Sequence, residues 1–258
     1  MRTVVSCVCA VLFSSAAGAG VYMESTQRSF DGDQKKPEVQ RMWFDGGRFR
    51  TESGDEVMIF RNQTIYTLDR SDRTYVKIDR ARMDQLGNKL ADAQKQMQAQ
   101  LANMPPEQRA MVEKMMGEHM GAMTAGAKKK RAVTKTGRTE KAAGFTCTVW
   151  EVTVDGTKEQ EMCVVAPGAI PSGNEVMQTF RELGAMFEGF ADKLPVGGDL
   201  AREVWSDLKA VNGIPVIMRD FENGKPIEEN RMTAIRSEAP PAGAFDIPAG
   251  YKEEKIDF

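Results

Sequence analysis

The residues best equipped for chemistry in this 258-residue chain lie in one run, MVEKMMGEHMGAM, from Met111 to Met123. It holds methionines at 111, 115, 116, 120 and 123 and the only histidine of the sequence, His119. Thioether and imidazole are soft ligands suited to copper or silver. Met115, Met116, His119 and Met123 recur at three- and four-residue spacing, which makes them neighbours on a helix. At about 100° per residue the methionines and His119 share one half of that helix, and Glu113, Lys114 and Glu118 take the other. Amphipathic docking accounts for the same pattern, because methionine fills irregular apolar contacts. A flexible methionine face also suits variable apolar ligands. Docking is the reading adopted here. No metal and no cofactor are expected, and soft-metal binding through these four residues stands as the alternative.

Other constellations for catalysis are missing from the sequence. It has no H-E-x-x-H, no phosphate-binding glycine loop and no G-x-S-x-G. A serine triad would have to recruit His119 from a helix far from any nucleophile elbow. The formal net charge of -2 excludes a dedicated polyanion binder, so no nucleic-acid partner is expected. The chain reads as a non-enzymatic binding protein.

The N-terminus places it outside the cytoplasm. Arg2 precedes an apolar run from Val4 to Phe13, and Ala17-Gly18-Ala19 fits a small-residue cleavage site. Residues 1–19 read as a signal peptide cleaved after Ala19, with Ala17 as second choice. The run is too short to span a bilayer, so a periplasmic product that is not an integral membrane protein is expected. Cleavage leaves Cys147 and Cys163, an even pair in an oxidising compartment, and hence one disulfide. A three-residue loop Val154-Asp155-Gly156 would pair Thr153 with Thr157 and set Cys147 opposite Cys163. Two buried free thiols are the competing reading.

Positioning falls to a strand-rich frame. From residue 20 to Asp79, short β-branched and aromatic runs alternate with Asp45-Gly46-Gly47, Ser53-Gly54-Asp55, Arg61-Asn62-Gln63 and Arg70-Ser71-Asp72. Such short separators specify an antiparallel meander. Apolar residues then step by three and four from Met83 to Met104, and Pro105-Pro106 ends that helix and starts the methionine helix. This predicts a helical hairpin inserted at about 81–125. Lys128 to Arg131 reads as a solvated loop, with anionic lipid headgroups as the alternative contact. Strands resume through the cysteine hairpin. A further helix carries Val176, Phe180, Leu183, Phe187, Phe190 and Leu194 on one stripe. The chain closes with three expected strands, REVWSDLKAVNG, IPVIMRDFENG and NRMTAIRSE.

IYTLDRSDRTYVKID, KTGRTEKAAGFTCTVWEV, the MPPEQRAMVEKMM helix and the closing AFDIPAGYK resemble the domain-of-unknown-function 4412 family of exported bacterial proteins. That family is similar in layout to the outer-membrane lipoprotein carriers LolA and LolB. The resemblance implies an α+β fold: a curved antiparallel sheet, an incomplete barrel, wrapped around helices, as one domain over residues 20–258. It also implies an apolar cavity for a lipid or a lipoprotein acyl chain, with Phe180, Leu183, Phe187 and Phe190 as its candidate lining. A structural or stress-related envelope protein with a filled core is the rival. If the leader is read correctly, intact-mass measurement of protein recovered from the envelope should give a chain starting at Gly20, and an uncleaved mass would refute export.

Overall fold

The computed structural model describes residues 20–30, 37–105, 107–108, 130–192 and 198–254. The signal segment, the cleavage position and the methionine run with Met115, Met116, His119 and Met123 lie outside the described residues. Among the described residues, twelve strands form one sheet in the order β12-β6-β5-β4-β3-β2-β1-β11-β10-β9-β8-β7. Each of these pairings is antiparallel except that of β12 with β6.

The first six strands form the expected meander: β1 (Val21–Ser29), β2 (Glu38–Asp45), β3 (Arg48–Ser53), β4 (Glu56–Arg61), β5 (Thr64–Asp69) and β6 (Thr74–Asp79). Two-residue turns supply the reversals. Gly46-Gly47 and Asn62-Gln63 all take positive φ, which matches the twist of the strands they join. Alternation then sorts the faces. Val21, Phe44, Phe49, Phe60, Ile65 and Ile78 stand in register across the inner face. Tyr22, Trp43 and Ile59 lie on the outer face. That outer face is covered by the closing motif: Ala244 and Phe245 are buried against it, and Arg48 stacks on the Phe245 ring at 4.5 Å. Arg61 pairs with Asp246 at 2.7 Å, and β12 (Lys252–Glu253) then adds to the β6 edge.

Helix α1 (Arg80–Ala102) starts where the Asp79 carboxylate accepts from the Arg82 amide at 2.9 Å. Its stripe is buried at Met83, while Leu90 and Met97 are exposed. β7 (Arg131–Ala142), β8 (Phe145–Val154) and β9 (Thr157–Val165) follow. Helix α2 (Gly173–Ala191) carries the phenylalanine stripe and helix α3 (Gly198–Val211) comes next, before β10 (Ile214–Glu222) and β11 (Lys225–Ser237).

Two expectations are corrected. The segment REVWSDLKAVNG is helical, not a strand: α3 occupies most of it. Leu200, Val204, Leu208 and Val211 recur every three or four residues, a helical period, and Asn212 at φ 43° ends the helix as a left-handed cap. The cysteine hairpin turns on two residues, Asp155 and Gly156, and a bulge follows at Val152/Thr153. Cys163 therefore stands opposite Val149, and Cys147 is its diagonal neighbour rather than its partner in register. The disulfide nevertheless joins them, with Cα atoms 5.3 Å apart. Closing a loop of this length stabilises the fold by about 3 kcal/mol.

The β7 end of the sheet curls strongly. In β7, Thr136, Gly137 and Arg138 stand against Val149 alone, an irregularity of the kind that bends a strand. Three strands separate β7 from β11, which in a flat sheet means roughly 19 Å. Yet the Arg231 guanidinium donates to the Lys141 carbonyl at 3.3 Å. Cys147, Val149, Cys163 and Ile217 are buried in the face that closes over. An ionic cluster covers them. Arg219 grips both oxygens of Glu140 at 2.7 Å and one of Glu229 at 2.7 Å, and reaches Glu161 at 3.4 Å. Arg138 also bonds Glu161. The bond from Arg219 holds the Glu140 carboxyl below its ordinary range. Burial pushes Glu161 up, but hydrogen bonds from Arg138 and Lys158 outweigh it and leave its pKa lowered.

These depressed values fix the sign of the acid response. As pH falls below the ordinary value of 4.5, the unfolded chain takes up protons before the folded one. The stabilisation is complete above that pH and is lost as pH drops through the lower native values. Arg219→Ala, which strands three carboxylates, should cost about 3 kcal/mol at neutral pH. In urea titrations the gap between wild type and variant should close below pH 4.5. A gap that does not depend on pH would refute the charge account.

Candidate functional site

Beneath α2 and α3, on the inner face of the sheet, lies an apolar cavity of about 380 Å³. Its floor comes from strands far apart in sequence. Met23 on β1 and Met42 on β2 are in direct register. Met162 on β9 and Met218 on β10 are likewise paired, and Met232 on β11 stands beside Ser25. Its roof is Met177, Phe180 and Gly184 of α2 with Trp205 and Leu208 of α3. Six methionines thus face one space, all from outside the methionine run that dominates the sequence.

Local packing explains why the roof stands where it does. Phe180 plants its ring on Phe44 and Phe49, with centroids 5.4 and 6.1 Å away, which anchors α2 to the inner row. The N-terminal turn of α2 is tied to the β2–β3 turn by the Gly46 amide, which donates to Glu175. α3 crosses at Gly184, where an added Cβ would stand 2.9 Å from the Trp205 ring. Trp205 in turn stacks on Phe187, with centroids 6.3 Å apart.

Of the four residues expected to line a cavity, Phe180 is in the wall. Leu183 is buried in the main core, Phe187 is occupied with Trp205, and Phe190 is half-buried further along α2. Cys147 and Cys163 are joined, on the opposite face of the sheet from Met162 and Met218.

The polar part of the wall is uneven. Arg131, the last residue of the basic run, is tied to the buried Asp207 carboxylate through Nε at 2.8 Å and through Nη2 at 2.5 Å. The Asp207 bond is the main reason its guanidinium pKa is raised, against burial. Lys209 pairs with Glu188. Gln160 donates to Asp220 at 2.8 Å. Arg181, Gln40 and Asn230 also line the space, and no described residue bonds their side chains. A second, polar recess of about 460 Å³ lies at the sheet end among Gly47, Asn62, Gln63 and Glu182. The described residues give it neither an apolar floor nor a cluster of reactive groups. Among the described residues no group of three or more His, Cys, Asp or Glu side chains could hold a metal ion, and no helix is long and apolar enough to cross a membrane.

An open antiparallel sheet with helices over a cavity on one face is the class of fold present. The chain belongs to the DUF4412 family, described as a domain of unknown function, whose model matches residues 62–251. No curated protein matches it. Among solved structures it is similar to an uncharacterized conserved protein from Thermus thermophilus, with 6% identity and a TM-score of 0.43 over 92% of this chain and 90% of that one. It is also similar to the MucA/MucB complex structure of Pseudomonas aeruginosa, with 11% identity and a TM-score of 0.36, and to PNGF-II, with 8% identity and a TM-score of 0.37. This chain spans 56% and 31% of those two chains, respectively.

Gly184 is the contact on which the roof depends. Gly184→Val should force Trp205 outward and cost about 1–3 kcal/mol through overpacking. Urea unfolding would measure the loss, and tryptophan emission should shift to the red. Wild-type stability with unchanged emission would show that α3 does not seat against α2 in this way.

Proposed function

We infer that this is an exported, periplasmic binding protein without enzymatic activity, and that its ligand is apolar: a lipid or a lipoprotein acyl chain held in the methionine-lined cavity. One observation carries the reading. A native core is packed to crystal-like density and does not keep a space of this size, whereas ligand sites commonly run to about 300–1,000 Å³ with mostly apolar walls. The choice of methionine fits. Three rotatable bonds and a polarisable sulfur let one wall adapt to chains of different length and branching. The disulfide supports an oxidising compartment, and the carrier-like layout read from the sequence supports a chain-binding role.

Filling the cavity tests the reading. Leu208→Trp adds volume to the wall without adding charge. If the space is a ligand site, the variant should keep its melting temperature within a few degrees and lose at least about tenfold in affinity for a fluorescent fatty acid, on the order of 1.4 kcal/mol. If the space is ordinary core, the same change should destabilise by about 1–3 kcal/mol. Wild-type protein that binds no such probe would refute the proposal and favour a structural envelope protein.

A further inference from the structure

Hydrogen-bond and ion-pair accounting around the cavity leaves a remainder. Of the three cations that described residues place on its wall, two are neutralised: Arg131 by Asp207 and Lys209 by Glu188. Arg181 is exposed on α2, one turn after Met177, with no ionic or hydrogen-bonding partner among the described residues. On the floor, Ser25 is fully buried and its hydroxyl has no partner among the described residues. It stands in register between Gln40 and Met232, both part of the wall. The Gln40 amide beside it is unbonded by any described residue too, as is that of Asn230, two positions before Met232 on β11. A buried polar group without a partner costs about 1–3 kcal/mol, so such groups are normally satisfied. An apolar wall would ordinarily carry none.

Resting on the cavity reading above, we propose that the ligand is a single-chain amphiphile with an anionic head. Its alkyl chain lies among the methionines, its charge is matched by Arg181, and its head oxygens accept from Ser25, Gln40 and Asn230. The wall selects for this head. A cationic head would meet Arg181 with like charge, and a head without acceptors would leave the floor donors unsatisfied. A space of about 380 Å³ suits one chain rather than a whole bilayer lipid. The shared chemistry covers a carboxylate and a phosphate monoester.

Calorimetric titration of the oxidised protein with dodecanoate, dodecyl phosphate, dodecanol and dodecyltrimethylammonium tests this. Both anions, or one of them, should bind about fivefold or more tighter than the alcohol, the scale of one partly exposed ion pair, and the ammonium should bind most weakly. The stronger anion identifies the head. Arg181→Gln, an exposed position that does not threaten folding, should bring the anions down to the affinity of the alcohol, and added salt should do the same in wild type. Equal binding of anions and alcohol, or an anion preference that survives Arg181→Gln, would overturn the headgroup assignment and leave the apolar site standing. If none of the four binds, the cavity reading itself falls.

Discussion

The seat of Phe180 on Phe44 and Phe49 is the contact on which the cavity depends. A β-meander of six strands exposes two faces, and each must be covered by something. The outer face is covered by the chain's own closing segment, Ala244 to Tyr251, which adds little thickness. The inner face is covered by α2, a helix whose stripe is anchored near the β2–β3 end. A straight helix on a twisted, curling sheet meets it closely along only part of its length. Where α2 and the sheet diverge, α3 fills in from the side through Trp205. The space left between them is the cavity. Anchoring at one end and divergence at the other follow from the same geometry.

Curvature at the far end of the sheet has its own cause. The β7 irregularity bends the last hairpin until β7 approaches β11, and the pair Glu140 and Arg219 holds it there. Bridging residues on strands that are not neighbours, this pair acts on sheet shape, which no ladder hydrogen bond can do. The disulfide lies beneath it and joins β8 to β9 where the curl is tightest. Met162 and Met218 stand on the opposite face of β9 and β10 and belong to the cavity floor. The curvature fixed by the ionic cluster therefore reaches the floor through these two strands. A change of charge on one face is transmitted as a change of curvature on the other.

Much of the frame was legible in the residues. The strands β1 to β6 follow period-two alternation broken by turns that need positive φ, both of which are local properties. The cysteine pair was also legible, because diagonal and direct neighbours in a hairpin are both within reach of a disulfide, so a two-residue turn with a bulge gives the same bond as the three-residue loop. The register itself was not legible, since a bulge is set by the tertiary bend. α3 was misread because Val204, Trp205 and Val211 suit strands in isolation, and the helical period shows only when Leu200 is counted with them. The cavity was least visible. Met23, Met162, Met218 and Met232 come together because β11 inserts between β1 and β10, a pairing across some two hundred residues that no local pattern encodes.

The two methionine populations therefore have different physical standing. In the run from Met111 to Met123 the sulfurs are concentrated by local helical spacing, a pattern that either docking or soft-metal binding would produce. In the cavity they are concentrated by topology alone. Each sits at an inward position of its own strand or helix, where leucine or isoleucine would serve a packed core with less loss of side-chain entropy. A wall meant to be filled by its own side chains is better built from stiff residues. A wall meant to be filled by something else gains from side chains that can change shape around it. Methionine at position after position on this floor, beside a buried serine and two amides with no partner among the described residues, is a surface built for a guest with both a chain and a head.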